Sequence, residues 1–157
     1  MTKGNDGTGN IPERDNWRTP QRLFDQLNQQ YDFRFDCCAD AINRKTTNFS
    51  WDFLNVKHDI EYLCWINPPF SKAYQMLEHF FKVCNKGVGI YRSDNMESKL
   101  WQDIILKHSD WILILKGRVN YEGHKGKGAR FPSSLFGVGI PPPEGLNGTV
   151  LILSHKE

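Results

Sequence analysis

The chain has 157 residues, of which 39% are hydrophobic and 13% aromatic, with 20 basic and 18 acidic side chains and a formal net charge of +2. This length suits a single domain with one core, and the apolar content is too high for an intrinsically disordered chain. No apolar run approaches the roughly 20 residues that span a bilayer, so the sequence predicts a soluble globular protein, and so small a net charge does not by itself indicate a nucleic-acid binder.

Residues 1–16 are polar, rich in glycine and without hydrophobic periodicity, which predicts a flexible N-terminal arm before one domain over residues 17–157. The arm has neither the apolar stretch of a secretory signal nor the pattern of a transit peptide, so we expect a cytosolic protein. A cytosolic location favours reduced cysteines, and zinc-site spacing is absent. We interpret Cys37, Cys38, Cys64 and Cys84 as core residues.

The first predicted helix covers residues 20–30. Thr19 followed by Pro20 is typical of a helix start, with Thr19 as the N-cap, and the apolar residues behind them fall on one helical face. Next, the alternating stretch 33–35 predicts a short strand that ends at Asp36.

A continuous apolar run over residues 62–66 predicts a buried parallel strand, which stops at Asn67-Pro68-Pro69 because proline cannot donate to a strand ladder. Periodic apolar residues then predict a helix over 73–84, closed by Gly87. A third strand is predicted over 88–91.

The remaining chain predicts a second long helix over residues 96–108 and a fourth strand over 111–115. Strand-like runs at 135–140 and 150–153 flank a proline-rich turn, and we expect them to add antiparallel strands at one edge of the sheet.

Strands that alternate with helices predict an α/β domain with a mostly parallel sheet and helices on both faces. Ligands of such sheets bind at the carboxyl ends of the strands. Asp36 ends one predicted strand and Asn67 directly follows another, so we expect them to face one crevice.

The tetrapeptide Asn67-Pro68-Pro69-Phe70 suits methylation of an amine that is conjugated to an aromatic ring. Such an amine is a poor nucleophile, and two rigidly held carbonyl oxygens, from the Asn67 side chain and the Pro68 main chain, can accept its hydrogens and favour tetrahedral nitrogen. Phe70 offers a flat face for an extruded base. A simpler interpretation is that the prolines only end a strand and that Phe70 fills the core.

Further short segments accompany this tetrapeptide in a fixed order, namely Trp17-Arg18-Thr19-Pro20, Phe35-Asp36-Cys37-Cys38-Ala39, Trp65-Ile66-Asn67-Pro68-Pro69-Phe70-Ser71, Gly117-Arg118-Val119-Asn120-Tyr121 and Ala129-Arg130-Phe131-Pro132-Ser133-Ser134. From Thr19 to about Phe136 the chain resembles the phage-type DNA N6-adenine methyltransferase family, the Dam-like enzymes of bacteriophages and prophages. The resemblance implies a Rossmann-like methyltransferase domain, S-adenosylmethionine as methyl donor, adenine in double-stranded DNA as acceptor, and Asn67, Pro68, Pro69 and Phe70 as the catalytic residues.

The same resemblance implies a set of cofactor contacts. Thr19 and Pro20 would lie by the methionine part of S-adenosylmethionine, where a helix N-terminus favours its carboxylate. Asp36 would pair with its ammonium group, and Ala39 would leave room for close approach of the backbone.

Asp59 is the candidate for a further acidic cofactor contact, because the family usually has an acid shortly before the strand that carries the catalytic motif. Asp52 and Glu61 compete with it for this role. The glycine-rich turn of methyltransferases at large is absent after the first strand, where the sequence reads Asp36-Cys37-Cys38-Ala39.

Basic residues concentrate after the fourth predicted strand. We hypothesise that Arg118, Lys125, Lys127 and Arg130 contact DNA phosphates, which would make the affinity salt-dependent. A solvated, mobile loop would have a similar composition.

Two other classes of function remain open from the sequence. A methyltransferase that acts on RNA or on a protein amide faces the same electronic problem at nitrogen, and a catalytically inactive DNA-binding relative would keep the fold without the cofactor. The sequence does not define the oligomeric state, and the scattered histidines predict no metal site.

Overall fold

The computed structural model describes residues 17–39, 43–123 and 128–155, so the predicted N-terminal arm lies outside the described residues. The helices there are α1 (Gln21–Tyr31), α2 (Ala73–Val83) and α3 (Leu106–His108), the last preceded by a π-helical segment at Leu100–Ile105, with 3₁₀ turns at Phe53–Asn55 and Phe70–Lys72. The strands are β1 (Phe35–Asp36), β2 (Asn48–Phe49), β3 (Cys64–Ile66), β4 (Gly87–Arg92), β5 (Trp111–Tyr121), β6 (Ala129–Val138) and β7 (Gly148–Ile152).

Within the described residues the seven strands form one sheet in the order β2-β1-β3-β4-β6-β5-β7. The first four are parallel, whereas β6 is antiparallel to both β4 and β5, and β7 is antiparallel to β5. The mixed α/β class is confirmed. The predicted mostly parallel sheet is wrong, because the long ladders of the sheet are antiparallel.

The sheet differs from the prediction because β5 is longer than the predicted strand at 111–115. The sequence Lys116-Gly117-Arg118 resembles a turn, yet β5 continues to Tyr121 and returns through a hairpin as β6. A shift in register between Ile114 and Arg118 accommodates the extra length, and Gly117 adopts a φ of 80°, which glycine tolerates without a steric penalty. The hairpin makes β6 antiparallel to β5. Because β6 also pairs with β4, it lies inside the sheet rather than at its edge.

Helices cover both faces of the sheet. In β3, Cys64 and Ile66 point to the face covered by α2, whereas Trp65 points to the opposite face and packs with Phe24 and Leu27 of α1. This period of two is that of a fully buried strand. Each buried large apolar side chain contributes roughly 1.5–3 kcal/mol, so both faces stabilise the end of β3.

The helix boundaries correct three predictions. Thr19 makes no side-chain capping bond to α1. Gly87 does not close α2, which ends at Val83; it begins β4, where a Cβ atom would lie 2.5 Å from the Phe80 ring. The predicted helix 96–108 contains the π-helical segment and only a short α-helix. Among the described helices, none has the length and apolar character needed to cross a membrane.

Candidate active site

A cavity of about 220 Å³ lies at the carboxyl ends of β1 and β3. Asp36 ends β1 and pairs with Trp65 of β3, so the residues that follow these neighbouring strands share one edge of the sheet. Both Asp36 and Asn67 line the cavity. Its other lining residues include Trp17, Arg18, Thr19 and Ala39.

Asp36 is the buried acid of this cavity, with 3% of its surface exposed. Its Oδ2 atom accepts a hydrogen bond of 2.9 Å from the main-chain N–H of Lys45. Burial raises the pKa of Asp36 to about 7, although main-chain hydrogen bonds from Lys45 and Cys38 and the charge of Lys45 oppose the rise. A cation in the cavity would therefore favour the ionised carboxylate.

The segment before α1 also lines the cavity, through Trp17, Arg18 and Thr19. Arg18 exchanges two main-chain hydrogen bonds of 2.9 Å with Glu122 at the end of β5, and its Nη2 atom donates to the Gly123 carbonyl across 3.0 Å. Thr19 is 1% exposed. Within the described residues, Thr19 Oγ1 and Arg18 Nε are buried without a hydrogen-bond partner. Two orphaned polar atoms thus belong to residues that line the cavity, and a polar ligand would satisfy them.

Asn67 is oriented by this same segment. Its Nδ2 atom donates a hydrogen bond of 3.0 Å to the main-chain oxygen of Trp17. Only the NH₂ end of an amide can donate to a carbonyl, so this contact fixes which end of the side chain is which. The Oδ1 atom is left as an acceptor, and no residue in the described ranges donates to it.

The other three residues of the tetrapeptide have different surroundings. Pro68 is buried and Pro69 lines the cavity. Phe70 opens the 3₁₀ turn and packs edge to face against Tyr91 and Phe131, with ring centroids 5.6 and 5.7 Å away. Phe70 is half-buried, so part of the ring remains accessible.

Two predicted cofactor contacts lie apart from the others. Pro20 directly precedes α1 but does not line the cavity. Asp59 is exposed and lines a separate groove together with Glu61. Asp52, the other competing acid, is also exposed and accepts a 2.6 Å hydrogen bond from Asn55 Nδ2. The structure does not bring Asp59 together with Asp36.

Of the four predicted DNA contacts, Lys125 and Lys127 lie outside the described residues. Arg118 and Arg130 are exposed on the β5–β6 hairpin, where Arg118 pairs with Pro132 and Asn120 pairs with Arg130. Paired residues and those two apart share a face of a strand pair, so both arginines project from the outer face of the hairpin. The alternate residues, among them Val119 and Phe131, are buried.

The cysteines behave as core residues. Cys37, Cys64 and Cys84 are buried, and their Sγ atoms lie within 4.8 Å of one another, while Cys38 is half-buried. Burial raises the pKa of the Cys37 and Cys38 thiols, which keeps them protonated and poorly nucleophilic. Their burial in the core, as predicted, is confirmed for the first three.

Several residues of this site were given no role from the sequence, although Trp17 and Arg18 belong to a segment that carries the family resemblance. Trp17 contributes a main-chain oxygen, which no side-chain pattern indicates, and Arg18 enters through contacts with residues more than 100 positions away. Lys45 reaches the cavity from the segment between β1 and β2. The signal that could have indicated Arg18 was its place in the segment Trp17-Arg18-Thr19-Pro20, which carries the family resemblance.

The family model of DNA N-6-adenine-methyltransferase (Dam) matches residues 7–132, well over half of the chain. This match places the protein in a class of enzymes that methylate DNA. The chain belongs to the DNA N-6-adenine-methyltransferase (Dam) family, so the resemblance inferred from the sequence is confirmed. No curated protein matches the chain.

Proposed function

We propose that this chain transfers a methyl group from S-adenosylmethionine to the N6 amine of adenine in double-stranded DNA, with the target base turned out of the duplex. The proposal goes beyond family membership in naming the methyl donor and the reacting residues. The observation that carries it is the Asn67 amide, which Trp17 holds with its oxygen available beside a polar cavity.

Asn67 and Pro68 are proposed to activate the amine. Oδ1 of Asn67 and the main-chain oxygen of Pro68 would each accept one of its hydrogens, drawing the nitrogen lone pair out of conjugation with the ring. Two successive prolines restrict the backbone, so little reorganisation is needed. The nitrogen gains the methyl group and releases one proton to water, and no strong general base is required.

Phe70 is proposed to stack on the extruded base. Its ring is half-buried and contacts two other rings at steep angles, an arrangement that suits a rigid stacking surface. Stacking of a base on an aromatic ring contributes roughly 1–3 kcal/mol. Phe70 does not line the cavity, whereas Asn67 and Pro69 do, so the proposal puts the base at Phe70 and the cofactor in the cavity, with Asn67 between them.

The cavity fits the amino-acid part of S-adenosylmethionine. Asp36 supplies a buried carboxylate for the ammonium, and the orphaned Thr19 Oγ1 supplies a donor for the carboxylate near the start of α1. Ala39, which is 7% exposed, has a small side chain that would leave room for the cofactor to approach the backbone. When bound there, S-adenosylmethionine supplies an electrophilic methyl group.

The arrangement of the sheet supports two finer assignments. A cavity at the carboxyl ends of β1 and β3 agrees with a Rossmann-like relationship for the parallel half of the sheet. The exposed arginines of the hairpin, Arg118 and Arg130, are proposed to bind DNA phosphates. Lys125 and Lys127, in the connection between the same two strands, are proposed to extend this basic surface.

The experiment that tests the proposal compares three acceptors. Tritiated methyl transfer from S-adenosylmethionine is measured with adenine-containing DNA, with RNA and with a protein substrate under identical conditions. We expect label in DNA alone. Label found in RNA or protein instead of DNA would identify that molecule as the substrate and contradict the proposal of DNA. The absence of both cofactor binding and methyl transfer would contradict the enzymatic function.

A further inference from the structure

An ion pair between Arg92 and Asp94 adjoins Phe70, the last residue of the tetrapeptide. Arg92 ends β4, which runs three residues beyond Gly89, the partner of Ile66 in β3. The end of β4 therefore lies beside the loop that follows β3. The Arg92 side chain is only 12% exposed, so the surrounding residues hold its guanidinium in place.

The guanidinium of Arg92 lies over two aromatic rings. Its Cζ atom is 4.5 Å from the ring centroid of Phe131 and 5.6 Å from that of Phe70. The two rings contact each other edge to face at 5.7 Å. A planar, weakly hydrated guanidinium can lie flat on an aromatic ring, whereas a lysine ammonium, although it is attracted to the ring, has no planar group to stack.

Asp94 holds this guanidinium from the far side. Arg92 Nε donates to Asp94 Oδ1 across 2.8 Å and Nη2 donates to Oδ2, so the pair is bidentate. A bidentate pair fixes both the position and the plane of the guanidinium. The backbone is anchored separately, because Trp101 Nε1 donates to the Arg92 main-chain oxygen across 3.0 Å. Changes to the Arg92 side chain leave that anchor in place.

We propose that Arg92, locked by Asp94, is a positioning residue that fixes the ring of Phe70 for stacking on the target base. This inference rests on the proposed function, since it assigns the base to the Phe70 side of the loop. Phe70 follows two prolines on a turn of three residues and has few neighbours of its own element to orient it. Arg92, Phe131 and Tyr91 hold the ring instead.

The test measures steady-state methyl transfer to DNA by Arg92→Met and Arg92→Lys. The proposed function assigns DNA affinity mainly to phosphate contacts, so we expect kcat to fall by about tenfold or more while the KM for DNA and the affinity for S-adenosylmethionine stay unchanged. Lysine keeps the charge but loses the planar fork, so Arg92→Lys should be as slow as Arg92→Met. Restoration of the rate by lysine would overturn the proposal.

Arg34→Met is the matched control. Arg34 forms a similar pair with Asp32, in which Nε and Nη2 donate to Oδ2 across 3.2 and 2.7 Å, but this pair is exposed and distant from the tetrapeptide. We expect Arg34→Met to transfer methyl at the wild-type rate. Equal rates for Arg34→Met and Arg92→Met would overturn the inference while the proposed function stands; no transfer by the wild type would contradict the proposed function itself.

A double-mutant cycle tests the role of Asp94. If Asp94 acts only by holding Arg92, then Asp94→Ala lowers kcat, and combining it with Arg92→Met adds little further loss. Fully additive losses would mean that Asp94 acts independently, which would contradict its assigned role.

Discussion

The side-chain amide of Asn67 donates a hydrogen bond to the main-chain oxygen of Trp17, across 50 positions of sequence. Trp17 belongs to the segment that Arg18 ties to the end of β5 through Glu122. The orientation of the proposed catalytic amide therefore depends on a contact between the segment before α1 and the residue that follows β5. Asn67 is positioned before any substrate binds, which lowers the cost of reorganisation in the reaction.

Thr19→Val should have opposite effects on the stability of the protein and on its affinity for S-adenosylmethionine. The buried Thr19 hydroxyl has no partner among the described residues, and its replacement by an apolar group of similar shape should raise the free energy of unfolding by about 1 kcal/mol. The affinity for S-adenosylmethionine should fall by about tenfold, corresponding to one lost hydrogen bond to a charged group.

Calorimetric titration and denaturant unfolding measure these two effects. Ser109→Ala is the control, because Ser109 Oγ is also buried without a described partner but does not line the cavity. This variant should gain stability and keep its cofactor affinity. A loss of cofactor affinity in both variants would mean that Thr19 has no specific role.

Cofactor affinity should depend on the ionisation of Asp36. Since the pKa of this acid is raised to about 7, lowering the pH below 7 protonates it and removes the partner of the cofactor ammonium. Affinity should then decrease by up to about tenfold per pH unit between pH 7 and 5.5. Asp36→Asn should bind weakly and lose this component of the pH dependence. Titrations that show the same pH dependence in both proteins would exclude Asp36 from this contact.

Asp36 should also make stability depend on pH in the free protein. Its pKa is about 7 when folded and near 3.8 when unfolded, so the unfolded state releases the proton first as the pH rises. The free energy of unfolding therefore falls between about pH 4 and 7 and levels off above, by an amount on the order of 4 kcal/mol from this group.

Unfolding in urea at several pH values checks this sign. Asp36→Asn should match the wild type near pH 4 and be more stable at pH 7, because the amide carries no charge to bury. A variant that is less stable than the wild type at pH 7 would show that the buried carboxylate stabilises the fold.

The exposed arginines of the hairpin should contribute to the salt dependence of DNA binding. Each of Arg118→Gln and Arg130→Gln should reduce the slope of log K against log salt by about one, the value expected for one phosphate contact. Lys107→Gln removes an exposed cation from α3 and should leave the slope unchanged. Fluorescence anisotropy with a labelled duplex measures the slopes, and equal slopes for all variants would show that these arginines are only solvated.

The sequence was sufficient to place Asp36 and Asn67 at one edge of the sheet. Short apolar runs that end in polar or proline residues define strand ends locally, and parallel neighbours bring their carboxyl ends together. The apolar faces of α1 and α2 were equally local signals, and these helices lie close to their predicted positions.

Features that depend on distant contacts could not be predicted in this way. The hairpin that places β6 inside the sheet rests on a bulge near Gly117, where the local sequence resembles a turn. The contacts of Asn67 with Trp17 and of Arg18 with Glu122 join residues far apart in the sequence. Trp17 contributes only a main-chain oxygen to the first, and both residues of the second contribute only main-chain atoms. Asp59 was predicted as a cofactor contact because an acid is expected shortly before β3. Its side chain is exposed, which argues against a buried contact.

The most direct measurement is nucleoside analysis of DNA incubated with S-adenosylmethionine and the protein, followed by digestion and mass spectrometry. The wild type should produce N6-methyladenine, and Asn67→Ala should lose at least about a hundredfold of the rate, as when an oriented hydrogen-bonding group is removed from an active site. Asn85→Ala, which alters an exposed asparagine beyond α2, should retain the wild-type rate. N6-methyladenine formed by Asn67→Ala at a near-normal rate, or none formed by the wild type, would contradict the account.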